Sequence, residues 1–140
     1  MAKIILGKPP KEFKRPLSFA QVNGEPGTMV VNFKYRTRTE FAAFKDQLID
    51  EQRAAGAAEM QQLAALVEKA LPMPDLTQVE LLAREAKANV DFVMGCLVGW
   101  DLDVPFDRAA VEQLADEVPA AILAIVGEYT AAIDQGRQGN

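Results

Sequence analysis

Residues 17–36 read LSFAQVNGEPGTMVVNFKYR, two β-prone runs either side of NGEPG. Asn-Gly and Pro-Gly are strong turn pairs, so the stretch predicts an antiparallel hairpin. In the second run Met29, Val31, Phe33 and Tyr35 alternate with Thr28, Val30, Asn32, Lys34 and Arg36. Period two sends the first set to a core face and the second to water. A lone hairpin is marginal, and its apolar face needs a cover.

The chain beyond residue 36 reads as helix and is the predicted cover. Thr37 and Glu40 have capping-box spacing, and Phe41, Phe44 and Leu48 then recur at helical intervals. Gly56 is the expected end of this helix. A second segment carries Met60, Leu63, Val67 and Leu71 on one stripe and stops at LPMPD, residues 71–75. The third, from Asp75 or Thr77, steps by three or four through Val79, Leu82, Ala83, Ala86, Val90, Val93, Met94 and Leu97. Asp107 is placed to cap a short helix with Val111, Leu114 and Val118 inward. Pro119 is a favoured first helical residue for a last helix with Ile122, Ile125, Val126, Tyr129 and Ile133 on one face, stopping at Gly136. The fold class expected is α+β: an N-terminal antiparallel β-hairpin, or three strands, packed on a mainly α-helical domain.

Upstream, residues 1–16 hold four lysines, one arginine and three prolines. Proline fixes φ and lacks a donor, so this part is expected as a basic extended arm, with KIIL (residues 3–6) a candidate short strand. The expected organisation is one domain over 1–140: arm 1–16, hairpin 17–36, helical region 38–136.

Composition narrows the chemistry. The 140 residues are 49% apolar and 25% charged, with one cysteine and no histidine. The commonest general base, the commonest metal ligand and every Ser/His or Cys/His nucleophile pair are therefore missing. Neither an enzyme nor a cofactor is expected. No apolar run spans a bilayer and the apolar N-terminal stretch is too short for a signal peptide, so the expected location is the cytoplasm. Residues 1–55 carry ten Lys/Arg against six Asp/Glu, or +4, and residues 56–140 carry five against fourteen, or −9, which gives the net −5. A dipolar chain of this kind can self-associate.

The stretch VGWDLDVPFD, residues 98–107, holds the only tryptophan. Gly99 is well placed as a left-handed helix stop, with Trp100 folding back onto Met94, and Phe106 can staple onto Val111. That reading makes Trp100 structural, the alternative being a direct partner contact. Asp101, Asp103 and Asp107 have alternate spacing, but a calcium loop needs a glycine where Phe106 stands. Cys96, mid-helix with no evident cationic neighbour, reads as an inert buried thiol. Lys34, Arg36 and Arg38, interleaved with Phe33 and Tyr35, are the best nucleic-acid candidates, opposed by the overall charge of −5. The expectation is no nucleic acid and no membrane.

Residues 98–140 resemble the C-terminal half of the tail assembly chaperones of long-tailed bacteriophages and prophages. The likeness rests on Gly99-Trp100-Asp101 ending a helix, Pro105-Phe106 opening the next, Leu114, Pro119, Tyr129, Gly136-Arg137 and a final Asn140. VVNFKYRTRTEF, residues 30–41, is similar to the family's N-terminal part. Residues 55–85 are the least distinctive, and Gln138-Gly139 departs from the lysine usual near the terminal asparagine. The resemblance implies a non-enzymatic assembly factor that binds the tape measure protein, keeps it soluble and helps recruit tail tube subunits, and is absent from the finished virion. It also implies that this chain is the form without a frameshifted extension. A client of that kind calls for an apolar groove between helices. Leu123 and Phe92, which stand off the helical stripes, are candidate contacts beside Lys34, Arg36 and Arg38. A generic helical adaptor of another assembly is the competing reading.

Overall fold

The computed structural model describes residues 3–136. Strands β1 (Glu12–Ala20) and β2 (Pro26–Lys34) pair antiparallel in continuous register from Glu12–Lys34 to Ala20–Pro26. The predicted hairpin is therefore present, turning through residues 21–25 with Gly24 at φ 86°. Met29, Val31 and Phe33 are buried on one face, beside Leu17 of β1. Strand β1 begins four residues before the expected arm ends, because the amide of Tyr35 still finds the carbonyl of Lys11 at 2.9 Å. Pro16 thus lies within a strand. It faces Val30, whose amide and carbonyl both turn the other way, to Asp101. No donor is needed at that rung, and β1 is an edge strand, so proline fits.

A third strand exists, but KIIL does not supply it. Strand β3 (Leu97–Trp100) pairs antiparallel with the other side of β2, giving the order β1-β2-β3. A bulge opposite Asn32 and Phe33 leaves Val98 exposed. Residues 3–6 join no strand, and Ile4, Ile5 and Leu6 are 84%, 63% and 90% exposed. Gly99 is correspondingly not a left-handed helix stop. The preceding helix ends at Cys96, Leu97 is already extended at φ −89° and ψ 142°, and the open edge of β2 takes up the backbone groups.

Helix α1 (Arg38–Glu68) runs unbroken through Gly56, so the first two predicted helices are one. The cost of one glycine, about 1 kcal/mol, is met by the alanine-rich residues around it. The capping box at Thr37 is formed, with Glu40 and Thr37 exchanging hydrogen bonds of 3.1 and 2.9 Å. A Schellman ending closes α1: Leu71 donates to Leu66 and Ala70 to Val67, with Ala70 in the left-handed region at φ 54°. Helix α2 (Gln78–Cys96) starts at the Thr77 cap and returns antiparallel. Helix α3 (Arg108–Glu117) is capped by Asp107, which accepts from Ala110 at 2.8 Å. Helix α4 (Pro119–Gln135) opens on Pro119 and ends at Gly136, φ 64°, as predicted. Arg137 to Asn140, which carry the terminal part of the resemblance, lie outside the described residues.

Helix α4 packs on the sheet, and Tyr129 is the centre of the core. Its ring, fully buried, lies 5.1 Å from that of Phe33, 5.2 Å from Phe41, 6.2 Å from Phe92 and 6.3 Å from Phe13. The Tyr129 hydroxyl donates to the Lys34 carbonyl at 2.9 Å and accepts from Arg36 at 3.2 Å. One tyrosine so joins the end of β2, the start of α1 and the middle of α4.

Candidate protein-binding groove

Only the first turns of α1 and the last turns of α2 belong to this core. Phe41 is the single buried residue of α1, and Val90, Val93 and Cys96 are those of α2. The rest forms a projecting helical pair, tied by an ion pair of Arg84 with Glu59. Its apolar stripe faces water: Met60 is 65% exposed, Val67 66%, Val79 77% and Leu82 55%. Helical periodicity marks an apolar face without saying what covers it, and here that face is left largely open to water.

Where α2 passes α3, the exposed stripe becomes a groove of about 550 Å³. Val79, Leu82, Ala83, Ala86 and Val90 line one side, Ala115 and Pro119 the other. Alanines at 83, 86 and 115 leave room that larger residues would fill. Leu123, 64% exposed, lies one helical turn beyond Pro119 and continues the apolar surface on α4.

The charged rim is largely neutralised. Asp91 receives Lys87 and Arg108, each at 2.7 Å, and Arg108 also meets Glu112 at 3.1 Å. Burial alone would raise the Asp91 carboxyl, but the two hydrogen bonds and positive charges hold it below its usual range. Asp91 and Arg108 thereby clamp α2 to α3 beside the groove. Lys87–Asp91 and Arg108–Glu112 have i,i+4 spacing, a signal present in the sequence and missed in reading it.

The other predicted residues fall elsewhere. Trp100 is half-buried, donates through Nε1 to the Val104 carbonyl at 2.8 Å and meets Phe106 edge-on at 5.2 Å. Asp101 accepts from the Val30 amide at 2.8 Å and returns its own amide at 3.1 Å, adding a rung to the sheet. Phe106 and Val111 both join the core, and Pro105 is exposed in the connector. These residues build the body; only Pro119 among the motif positions lines the groove.

Two candidate contacts turn inward. Phe92 lies 6.0 Å from Phe41 and 5.7 Å from Phe44, inside the aromatic cluster. Arg36 is not on the outer face. The strand ends at Lys34 and the alternation with it, so the guanidinium stacks 3.9 Å over Phe44 and reaches the Cys96 sulfur at 3.7 Å. Lys34 and Arg38 are exposed. Cys96 therefore has the cationic neighbour that the sequence did not reveal. Burial outweighs it and pushes the thiol up to about 12, which leaves it protonated and unreactive.

Among the described residues no cluster of three or more His, Cys, Asp or Glu is arranged to hold a metal ion, and no helix is long and apolar enough to cross a membrane. A sheet-anchored helical body with an apolar interhelical groove defines a small scaffold whose distinguishing surface suits another protein chain. The model of the phage tail assembly chaperone family matches residues 1–140, the whole length, and the chain belongs to that family. Its role is thus in tail assembly, with protein partners. No curated protein and no solved structure matches it.

Proposed function

We propose that this chain binds helical segments of the tape measure protein in the groove between α2 and α3, keeps that protein soluble in the host cytoplasm, and helps recruit tail tube subunits. The proposed role is non-enzymatic. The observation that carries it is the groove itself: an apolar channel continued by exposed Val79, Leu82 and Leu123, on a chain of the tail chaperone family. From Val79 to Val90 it measures about 16 Å along α2, room for about three turns of a client helix. The client would lay an apolar face between the helices, with its polar face to water.

Calorimetry with tape measure fragments tests this. Burial of apolar surface predicts a negative heat-capacity change and little salt dependence. Leu82→Asp should abolish binding while leaving the melting temperature unchanged, because Leu82 is exposed. Strong salt dependence without a heat-capacity change would rule the groove out and point to exposed Lys34 and Arg38.

A further inference from the structure

The groove between α2 and α3 is uneven along its length, in size and in charge. Its middle is lined by alanines, with Ala83 and Ala86 on α2 and Ala115 on α3 opposite them. Larger residues stand to either side along α2, Val79 and Leu82 before this gap and Val90 after it. Ala83 and Ala86 are about 4.5 Å apart along the axis, so their small side chains open one hole between consecutive turns. A hole of this kind forfeits dispersion contacts on its empty side, and a side chain that fills it recovers them.

The three cations of α2 and α3 are all engaged: Arg84 with Glu59, Lys87 with Asp91, and Arg108 with Asp91 and Glu112. Four acids of the same helices are not. Glu80, Glu85, Asp116 and Glu117 are exposed and meet no cation among the described residues. Of these, Asp116 lines the groove itself, eight residues and so about 12 Å along α3 from Arg108. It follows Ala115 in the chain, which sets an unpaired negative charge beside the hole. Ala83 and Asp116 are both exposed, so packing within the chain holds neither at its size or its charge.

We infer that this groove selects its client by sequence. It takes a helix with one large apolar side chain (Leu, Met or Phe) seated over Ala83, Ala86 and Ala115, and a Lys or Arg set against Asp116. Smaller apolar residues three or four positions to either side of the large one meet Val79, Leu82 and Val90. The inference rests on the client reading of the groove and adds to it which segments of a tape measure protein bind. The large side chain supplies affinity. The cation supplies discrimination, since an exposed pair contributes little while a like charge in its place is repelled. A single exposed pair also keeps the salt dependence small.

Overlapping peptides covering the tape measure protein, titrated onto the full chain, test the selection. The tightest binders should carry this pattern, and Leu82→Asp should abolish their binding. Ala83→Leu fills the hole and should weaken a peptide with Leu at the central position by about tenfold or more. The same peptide with Ala at that position should bind the native chain less well and the Ala83→Leu chain better. Asp116→Lys should weaken a peptide carrying Lys opposite it by about two- to fivefold and strengthen one carrying Glu there. Both variants should keep the melting temperature, because Leu suits an exposed helical site and Lys suits the last turn of α3.

Peptides that lose binding with Leu82→Asp, yet respond alike to Ala83→Leu whatever their central residue, overturn the inference and leave the client reading standing. Equal binding of Lys and Glu peptides by the native chain does the same. Peptides indifferent to Leu82→Asp, or no binding peptide at all, remove both. Binding that emerges only when Ile4, Ile5 and Leu6 are replaced by Ser makes the chain's own start the occupant, and also overturns the inference.

Discussion

Replacing Tyr129 with Phe keeps every ring contact of the aromatic cluster and removes one oxygen. That oxygen donates to the Lys34 carbonyl at 2.9 Å and accepts from Arg36 at 3.2 Å. An ordinary hydrogen bond contributes about 1 kcal/mol and one to a charged group about 1.5–3 kcal/mol, while Arg36 keeps its stack on Phe44. The expected loss is therefore about 2–3 kcal/mol. For a chain of this size each kcal/mol moves Tm by about 3–4 °C, so calorimetry should show a fall of about 6–12 °C. The pH dependence gives an independent readout. Burial raises the Tyr129 phenol, against the opposing hydrogen bond from Arg36. An acid whose folded pKa is raised contributes stability that is fully present below the unfolded value, about 10, and lost as pH rises through the folded one. The Tyr129→Phe chain should lack that share of the alkaline loss and keep the share from Cys96, which runs from about 9 to about 12. A Tm within 1 °C of the wild type, with an identical alkaline profile, would refute the placement of Tyr129 at the junction of β2, α1 and α4.

Trp100→Ala should cost about 2–3 kcal/mol, below the full range for a buried aromatic because the ring is half-buried, and thermal melting would read it; unchanged melting with lost partner binding would make Trp100 a contact residue. Gly95→Ala should destabilise by about 1–3 kcal/mol, since an added methyl would meet the Phe44 ring that carries Arg36; chemical denaturation would show it. Ala70→Gly should stabilise by up to about 1 kcal/mol by relieving a left-handed alanine, visible as slower amide exchange at the end of α1.

The hairpin, the Thr37 and Asp107 caps, Pro119 and Gly136 were all legible because each is decided by residues within a few positions of one another. What escaped reading depended on distant partners. Leu97 to Trp100 could be strand only because β2 offers an open edge, which no local pattern announces. Arg36 turns inward because Tyr129, Cys96 and Phe44 meet it from three helices. The α1 stripe at Met60 and Val67 was legible as an apolar face, but periodicity does not record what covers it. The groove was foreseen as a kind of site; its lining needed the geometry that sets α2 against α3. Of the two candidate contacts that stand off the stripes, Leu123 is exposed, while Phe92 is hidden by rings that the sequence places far away.

Strands β2 and β3 are neighbours in the sheet, yet the bond from Val30 to Asp101 closes a span of 71 residues. A flexible connection of that length would oppose closure by roughly 4 kcal/mol on the logarithmic law. Helices α1 and α2 shorten the problem, because an antiparallel pair returns the chain to its starting point through contacts that are mostly local. The helical pair is in this sense an insert between two adjacent strands, and it can form before the sheet is complete. Its far end, around residues 60–76, lies outside the buried core and the lining of the groove. Whole turns added to or removed from both helices there would change the length of the projection while β2 and β3 still meet.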